Sequence, residues 1–559
     1  MAKTLYYNGT IITMTGSEPV MVEAVLTDGG RIQAAGSLEE VRAMAEEPVL
    51  KDLKGAVMLP AFMDPHSHIT AMAKVLSYAV LQEADSFDGL IAILKKFKEE
   101  RKLGAGDWII GTGYDHNKLA EGRHPDRFIL DAAFPDNPVM ITHASGHMGV
   151  VNTPALEKMG ITKDTKDPEG GRIGRTAAVS GNGKSRNRGT EGTGEAGNGS
   201  KDGYGEPDGY LEETAFTGSS SVIPEPGMEQ LARQLEAAEQ IYLSHGITTI
   251  QDGRTRSDEW KLLKYAAENE LLHADVVAYA ALNDAHELTE ENPDYTGQYN
   301  HHLRIGGYKI FLDGSPQGRT AWMSSPYEGE PEGYCGYPIF KDEEVKSYFE
   351  TALREGRQLL VHCNGDAAAQ QMIEACRQAV RETGADPGQT RPVMIHAQMV
   401  RSDQLEQMAE LSITASFFTA HTWYWGDVHL KNFGEARALK ISPARTAIDD
   451  GVNVTFHQDS PVIQPDMIET IWCAVNRISC GGHPMGVMER VTPYEALKAV
   501  TANAAYQYGE ESEKGTIEPG KKADFVILSA NPLTVPPMEI KKIRVLETIK
   551  SGKILYKGL

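Results

Sequence analysis

The chain has 559 residues, of which 41% are hydrophobic, and a formal net charge of −23 at pH 7. This length suits a large domain with a core of its own and an accessory domain. The acidic balance argues against nucleic acid as a partner, because phosphate binding needs clustered Lys and Arg, and it disfavours attraction to an anionic membrane.

The first 55 residues carry the pattern of short strands. KTLYYNGTIITM contains two strand-like pieces around Asn8-Gly9, and AVLTDGGRIQAAG predicts a hairpin that turns at Asp28-Gly29-Gly30. We interpret residues 1–55 as the N-terminal part of a small composite β-sandwich domain.

Residues 56–505 alternate apolar strand-like runs with helical stretches, the pattern of a parallel α/β barrel. Candidate strands include AVMLPAFMD, TTIQDG, YKIFLDG, QLLVHC, PVMIHA and NVTFHQDS. The stretch MEQLARQLEAAEQIYLSHG repeats apolar positions at intervals of three and four, which predicts a helix. We therefore expect a (β/α)8 TIM-like barrel of the α/β class over 56–505, with an inserted subdomain around 108–215.

The segment 176–205 is rich in Gly, Ser, Asn and charged residues and contains almost nothing apolar. It cannot bury enough surface to offset its chain entropy, which predicts a flexible loop or linker. Two interpretations stay open: a solvated insertion without a function, and a lid over an active site.

The C-terminal residues again carry a strand pattern. GTIEPGKKADFVILS is followed by IRVLETIKSGKILYKG, which turns at Ser551-Gly552. We interpret residues 506–559 as the C-terminal part of the composite β-sandwich, so that both ends of the chain build one domain.

Cysteine content and targeting signals bear on the compartment. The five cysteines are odd in number and form no CxxC pair, which is typical of free thiols in a reducing compartment. The opening MAKTLYYNGTIITM lacks a basic segment followed by an apolar stretch, so we expect no signal peptide. No apolar run approaches the ~18 residues of a membrane span. We therefore expect a cytoplasmic protein.

Six side chains of metal-binding type each lie at or near the end of an apolar, strand-like run. Active sites of β/α barrels lie at the C-terminal ends of the strands, so these side chains are expected to meet. Imidazole and carboxylate ligands suit Zn²⁺, Mn²⁺, Fe²⁺ or Ni²⁺, whereas a structural zinc site would use thiolates. The six residues are His66, His68, Lys309, His362, His396 and Asp459.

Each of these residues also has an ordinary structural interpretation. His66 and His68, two apart, project to one face of an extended strand and can hold one cation, but two surface histidines near a turn show the same spacing. Lys309 lies within the apolar YKIFLDG. Burial lowers the pKa of an amine, and a neutral amine can form a carbamate that bridges two metal ions. The alternative is a lysine that reaches solvent at the strand end.

The last three candidates also follow or end apolar runs. His362 and His396 are 34 residues apart, about one βα unit, and a buried histidine satisfied by hydrogen bonds is the alternative for each. Asp459 follows VTFHQ, and its carboxylate can bind a metal and accept a proton from water. His457 is expected to face the opposite way.

Motifs along nearly the whole chain resemble those of the amidohydrolase superfamily, and within it the YtcJ-like group (amidohydrolase family 3). They are LPAFMDPHSH, HASGHMGVVNTPAL, PDGYLEETA, HGITTIQDG, YKIFLDGSPQGRTA, VHCNGDAA, MIHAQ, HQDSPV, and TANAA with KGTIEPGKKADFVIL. The chain departs from the group at HCNGD, where HAxGD is frequent, and in the length of the 176–205 insertion.

The resemblance implies specific roles for the six residues. It implies one or two divalent ions, Zn²⁺ foremost, with Mn²⁺, Fe²⁺ and Ni²⁺ as alternatives. The implied roles are His66 and His68 on the more buried metal, Lys309 as a carboxylated bridging ligand, His362 and His396 on the second metal, and Asp459 as ligand and general base.

The residues and the resemblance together predict metal-assisted hydrolysis of an amide-type C–N bond in a small molecule. Asp459 is expected to take a proton from the attacking water and deliver it to the leaving nitrogen. N-substituted formamides and N-acyl compounds are the specific candidates. The alternatives are a cyclic amide, an ester or a ring amine as substrate, or a catalytically silent metal-binding regulatory protein.

Three further residues are expected to bind substrate. Tyr114 follows DWIIGTG at a strand end, and family motifs place His147 and Arg319 beside the site. The guanidinium of Arg319 can hold a carboxylate. Relatives of the group often form dimers, so a homodimer is expected by analogy.

Overall fold

The computed structural model describes residues 3–116, 118–143, 148–168, 171–176, 205–219, 227–330 and 333–558. The chain forms two compact units: unit 1 contains Met1–Met72 and Leu235–Leu559, and unit 2 contains Ala73–Gln234. Positions 177–204 of the Gly-rich segment lie outside the described residues, so the interpretations of that segment stay predictions.

The strands follow one another along the chain in four groups. The first group is β1 (Thr4–Ile12), β2 (Met21–Asp28), β3 (Arg31–Gly36), β4 (Val49–Asp52) and β5 (Val57–Pro60), followed by β6 (Phe62–Met63). Unit 2 contains β7 (Ala79–Val80), β8 (Ile109–Tyr114), β9 (Val139–His143), β10 (Met148–Val151), β11 (Gly171–Arg175) and β12 (Pro207–Glu213). Then come β13 (Ile247–Thr255), β14 (Asp275–Ala281), β15 (Leu303–Phe311), β16 (Gln358–Cys363), β17 (Val393–His396), β18 (Thr414–Phe417) and β19 (Val454–Phe456). The last strands are β20 (Phe525–Leu528), β21 (Val545–Lys550) and β22 (Lys553–Lys557).

The helices lie mainly between these strands. The first half of the chain contains α1 (Leu38–Ala43), α2 (Ile69–Val75), α3 (Phe87–Glu100), α4 (Arg127–Ala133), α5 (Thr153–Met159), α6 (Thr214–Ser219), α7 (Met228–Ser244) and α8 (Ser257–Glu268). The second half contains α9 (Leu288–Glu291), α10 (Asp342–Arg354), α11 (Asp366–Thr383), α12 (Pro387–Thr390), α13 (Ser402–Glu410), α14 (His421–Tyr424), α15 (Gly426–Phe433), α16 (Glu435–Ala438), α17 (Ala444–Asp449), α18 (Met467–Asn476), α19 (Pro493–Ala499) and α20 (Ala502–Gln507). Two 3₁₀ helices span Val487–Glu489 and Pro537–Lys542. No helix of the described segments is long and apolar enough to cross a membrane.

Both termini of unit 1 contribute to one sheet. Its strands run β22-β21-β20-β5-β1-β2-β3, and β4 pairs with β1. The predicted hairpin joins β2 to β3, where Gly29 and Gly30 adopt positive φ angles of 56° and 81° that favour glycine. The stretch AVMLP was expected to open the barrel, but as β5 it pairs with β1 and β20 in this terminal sheet, so the central sheet begins at β6.

The central sheet of unit 1 contains eight strands in the order β6-β13-β14-β15-β16-β17-β18-β19. Every neighbouring pair is parallel. Strands such as β14 and β17 are buried at every residue, as expected where both faces of a parallel sheet are covered. Because the strands are parallel and consecutive, their carboxyl ends share one edge of the sheet. There the backbone N–H of His68, after β6, donates to the carbonyl of Ser460, after β19, at 2.8 Å.

Unit 2 contains a sheet in the order β11-β12-β10-β9-β8-β7. Its bounds, 73–234, are wider than the insertion expected around 108–215. The reason is that β7 pairs in parallel with β8, and the helix α3 packs against both strands. Segments before residue 108 therefore share the core of this unit, which includes Leu81, Leu90, Ile109 and Leu130.

A buried ionic network lies at the opposite edge of the central sheet. Asp275, the first residue of β14, is 2% exposed, and its Oδ2 lies 2.5 Å from Nζ of Lys514, 2.7 Å from Nζ of Lys550 and 3.4 Å from Nζ of Lys522. Lys550, the last residue of β21, also pairs with Asp524 at 2.8 Å, and its contact with Asp275 ties the terminal sheet to the central sheet. Burial raises the pKa of the Asp275 carboxyl, but the lysines outweigh burial and hold it well below its usual range.

Asp275→Asn is expected to lower the free energy of unfolding by about 3–5 kcal/mol, because it removes the buried carboxylate that three ammonium groups share and leaves them with less counter-charge. Since the folded pKa of Asp275 is depressed, its contribution is present above the unfolded pKa of about 4 and is lost as pH falls through the folded value. Urea unfolding at neutral and acidic pH measures both effects. Asp258→Asn is the control, since that carboxyl is 86% exposed and its loss should cost less than about 1 kcal/mol. Equal effects of the two substitutions would contradict the network's role.

Candidate metal centre

The six candidate ligands all belong to unit 1 and lie at or near the carboxyl ends of the central strands. The HxH pair follows β6, Lys309 lies in β15 two residues before its end, and Asp459 follows β19 by three residues. The remaining two are His362 in β16 and His396 at the end of β17. The parallel order of these strands is therefore what collects residues that are up to 393 positions apart (from 66 to 459) in the sequence.

Gln251, on β13, determines how His66 is oriented. The Gln251 side chain donates from Nε2 to the carbonyl of Pro65 at 2.7 Å, and its Oε1 lies 2.7 Å from Nδ1 of His66. Because this Oε1 can only accept, Nδ1 of His66 carries the proton and Nε2 presents a lone pair. The Nε2 lone pair is the form of imidazole that binds a metal ion.

The lone pair of His66 faces another electron-rich atom. Its Nε2 lies 3.3 Å from Oδ1 of Asp459, and Nε2 of His68 lies 3.2 Å from the same oxygen. Nε2 of His396 lies 3.8 Å from Oδ2 of Asp459. Within the described part of the chain, Oδ1 of Asp459 is buried without a hydrogen bond of good geometry. A divalent cation among these atoms resolves the contact between lone pair and carboxylate, so the residues fit a metal ion.

Burial keeps the imidazoles of His66 and His396 neutral. Burial, reinforced by the nearby ammonium of Lys309, lowers the pKa of His66 to about 3. Burial and the neighbouring His362 likewise hold the pKa of His396 well below its usual range. Neutral imidazoles keep their lone pairs at physiological pH, which is the protonation state that metal ligation requires.

Lys309 is fully buried beside this cluster. Its Nζ has no hydrogen-bond partner among the described residues and lies 5.2 Å from the ring centroid of Phe311. Burial lowers the pKa of Lys309 to about 7, although the carboxylate of Asp459 opposes this shift. The predicted alternative, a lysine that reaches solvent, is wrong, because the side chain is 0% exposed.

His362 and His396 form the other half of the cluster. Their ring centroids are 4.6 Å apart and the rings meet edge to face. Nδ1 of His362 lies 3.2 Å from Oδ1 of Asp313, and Nε2 lies 3.2 Å from Nδ2 of Asn364. Asn364 occupies the variable position of the HAxGD pattern and places an amide donor against a candidate ligand.

His457 was expected to face away from the cluster, and this expectation is wrong. Its Nε2 lies 3.1 Å from Nδ1 of His396, and its Nδ1 lies 2.9 Å from Oγ of Ser416. The ring centroid lies 5.2 Å from that of His66. The spacing of two between His457 and Asp459 would place both side chains on one face only in a continuing strand, but β19 ends at Phe456 and Asp459 has a φ of 55°.

Strained backbone accompanies two of the candidate ligands. His396 has a φ of 73° and Asp459 a φ of 55°, in the left-handed region that side chains other than glycine rarely adopt. Such conformations cost about 1–3 kcal/mol each and cluster at functional sites, where the surrounding structure enforces them.

The predicted substrate-binding residues have different surroundings. Arg319, in unit 1, forms an ion pair with Glu330 and donates from Nε to Oδ1 of Asn432 at 2.9 Å, so a substrate carboxylate would compete with Glu330. Tyr114, in unit 2, is fully buried, and its hydroxyl lies 2.9 Å from Nδ1 of His124. His147 lies outside the described residues. Substrate binding by these three residues stays a prediction.

Gln251→Leu is expected to weaken metal binding by roughly 10- to 100-fold, because the tautomer and the ring orientation of His66 are no longer held. Metal titration against a competing chelator measures the change. The matched control is Gln404→Leu, which removes another buried glutamine whose Nε2 donates to the carbonyl of Asp366. Identical metal affinities for the two variants would show that Gln251 does not orient a ligand.

Comparison with known proteins places these residues in context. The model of the amidohydrolase family matches residues 50–196 and 185–556. The chain is 27% identical to YtcJ of Bacillus subtilis (strain 168) over 564 residues, which cover 99% of each protein. It is 28% identical to the N-substituted formamide deformylase of Arthrobacter pascens over 552 residues, 96% of this chain and 95% of that protein. The solved structure of an uncharacterized metal-dependent hydrolase from Pyrococcus furiosus superposes with a TM-score of 0.73 at 26% identity, covering 95% of this chain and 100% of that chain.

Proposed function

The chain belongs to the amidohydrolase family, in its YtcJ-like group (amidohydrolase family 3), and from this premise we propose that it is a metal-dependent hydrolase of amide-type C–N bonds. The observation that carries the proposal is the contact between the lone pair of His66 and the carboxylate of Asp459, beside the Nζ of Lys309, which has no hydrogen-bond partner among the described residues. A divalent cation held by His66 and Asp459 makes this contact favourable.

The ligand assignment divides the cluster in two. His66, His68 and Asp459 would hold one ion, and His362 and His396 would hold a second. Addition of carbon dioxide to the neutral Nζ of Lys309 would give a carbamate whose oxygens could serve both ions, which suits a buried amine without a hydrogen-bond partner among the described residues. Nitrogen and oxygen ligands without thiolate suit Zn²⁺ first, then Mn²⁺, Fe²⁺ or Ni²⁺.

When bound, a divalent ion at these side chains lowers the pKa of water and polarises a carbonyl group. Asp459 accepts the proton from the attacking water and returns it to the leaving nitrogen, so that the C–N bond breaks and a carboxylic acid and an amine form. The protonated Nδ1 of His66, held by Gln251, keeps the imidazole turned toward Asp459 throughout.

The site assignment rests on a fold proposal. The eight consecutive parallel strands close into a (β/α)8 barrel, with β6 beside β19, and the strands of both termini form a β-sandwich. The hydrogen bond from His68 to Ser460, at the edge where β6 and β19 end, supports closure. A closed barrel surrounds the candidate ligands with strand ends on every side.

We place the substrate among N-substituted formamides and N-acyl compounds. The relative from Arthrobacter pascens is named for deformylation of N-substituted formamides, and the 28% identity leaves the acyl group open. The test is a hydrolysis screen of N-formyl amines, N-acyl amino acids, lactams, esters and ring amines with Zn²⁺ or Mn²⁺ supplied. Release of amine from N-formyl amines and N-acyl amino acids alone supports the proposal. Turnover confined to esters or ring amines would show that the enzyme does not cleave an amide-type C–N bond.

A catalytically silent, metal-binding regulatory protein is the alternative that the screen must exclude. Elemental mass spectrometry of protein purified without chelators addresses it directly. We expect one to two equivalents of a transition metal at the centre, together with turnover. Bound metal without turnover on any class would favour the silent interpretation, and absence of metal would remove the proposed centre.

A further inference from the structure

Unit 2 contains a second group of metal-ligating side chains that takes no part in the proposed chemistry. Asp115 and His116 directly follow β8, and His143 is the last residue of β9. These two strands pair in parallel, with Tyr114 opposite His143, so the three side chains leave the sheet at the same edge. The sheet register brings His143 beside His116, which lies 27 positions earlier in the sequence.

The distances among the three ligand atoms suit a small cation. Nδ1 of His116 lies 3.2 Å from Nε2 of His143, and Oδ1 of Asp115 lies 3.9 Å and 3.7 Å from these two nitrogens. Ligand atoms of a tetrahedral zinc site, with bonds of about 2.0–2.1 Å, lie about 3.3 Å from one another. Shifts of a few tenths of an ångström therefore bring all three atoms to bonding distance of one ion.

The surroundings hold His116 in this position. Its ring stacks on that of His124 with centroids 4.1 Å apart and an interplanar angle of 26°. His124 is in turn held through Nδ1 by the hydroxyl of the fully buried Tyr114 at 2.9 Å. Packing of this kind fixes the orientation of a ligand before the ion arrives, which reduces the ordering cost of binding.

We infer that Asp115, His116 and His143 form a second metal site, specific for Zn²⁺ or a similar borderline divalent ion. Two imidazole nitrogens and one carboxylate oxygen select such ions over Ca²⁺ and Mg²⁺, which prefer oxygen ligands alone. Three protein ligands leave a fourth position for water or an exchangeable ligand. The side chains of Asp115 and His116 are 30% and 29% exposed, so the ion can enter from solvent. Bound there, it joins the ends of β8 and β9.

The test counts zinc in the full-length protein. After equilibration with Zn²⁺ and removal of free ion, elemental mass spectrometry should find one equivalent less in the double variant His116→Gln and His143→Gln than in the unmodified protein. The matched control is His301→Asn, which removes an exposed histidine from unit 1 and should retain the full complement. Equal zinc content in the double variant and the control overturns the site.

A second, milder variant tests the site in case the double variant misfolds. Circular dichroism must show that the double variant keeps its structure, and Asp115→Asn changes one atom of one ligand. We expect Asp115→Asn to weaken binding of the additional ion by more than about 10-fold while the remaining zinc stays tightly bound. Replacement by Co²⁺ gives a second measurement, because a four-coordinate cobalt site absorbs visible light and the band should diminish in both variants. Unchanged affinity and an unchanged cobalt band would show that the three side chains form only a hydrogen-bonded cluster.

Discussion

Asp459→Asn is expected to reduce kcat by roughly 100- to 10,000-fold, the range that a general base contributes. The substitution keeps the shape of the side chain and an oxygen that can face the metal, but an amide cannot accept the proton of the attacking water. We therefore expect the metal content, measured by elemental mass spectrometry, to stay close to that of the unmodified protein while turnover is lost.

The control for this prediction is Asp449→Asn, since the Asp449 carboxyl is 64% exposed and pairs with Arg445 on the surface. Its kinetics should be unchanged. Near-normal turnover in Asp459→Asn, with metal in place, would remove Asp459 from the role of base. Loss of metal and turnover together would indicate that its main role is ligation.

Lys309→Met is expected to have two opposite effects. It should abolish turnover and lower the metal content, since no bridging carbamate can form. In metal-free protein in bicarbonate-free buffer it should raise the free energy of unfolding by about 1–4 kcal/mol, the gain seen when buried charges are replaced by apolar side chains of similar size. The reason is that Nζ of Lys309 is fully buried and has no hydrogen-bond partner in the described part of the chain.

The pH dependence of this stability difference follows from the lowered pKa. Burial lowers the folded pKa of Lys309 to about 7, whereas the unfolded value is about 10.4, so between these values the unfolded state binds more protons. The stability of the metal-free protein should therefore rise with pH over this window, and the advantage of Lys309→Met should shrink. Urea unfolding at pH 7 and pH 9 measures it, with Lys261→Met, whose side chain is 65% exposed, as the control. A less stable Lys309→Met apoprotein would contradict the cost assigned to this lysine.

Sequence patterns identified the residues whose role depends on their own strand. The HxH spacing predicted that His66 and His68 act together, and both lie within 3.3 Å of the same oxygen of Asp459. The Asp28-Gly29-Gly30 turn predicted the hairpin of β2 and β3 for the same local reason, a backbone conformation that glycine favours. These predictions needed only the geometry of a few consecutive residues.

Sequence patterns did not identify the residues that act through distant partners. Gln251 orients His66 across 185 positions, and nothing in TTIQDG marks this glutamine as different from any other strand residue. The pairing of Arg319 with Glu330 and Asn432 likewise redirects a guanidinium that its motif assigns to substrate. The orientation predicted for His457 is wrong for the same reason, because contacts with His396 and Ser416 on other strands turn its ring toward the cluster.

The sequence by itself determined the family, the order of apolar runs and the chemical types available at their ends, since these properties reside in single residues and short spacings. Only the tertiary structure decided which atoms face one another. It gave His66 a defined tautomer through Gln251, buried Lys309 away from any hydrogen-bond partner among the described residues, and brought Asp115 and His116 beside His143. The physical reason is that tautomers, desolvation and ligand distances depend on contacts between strands far apart in the chain, and strand pairing alone creates those contacts.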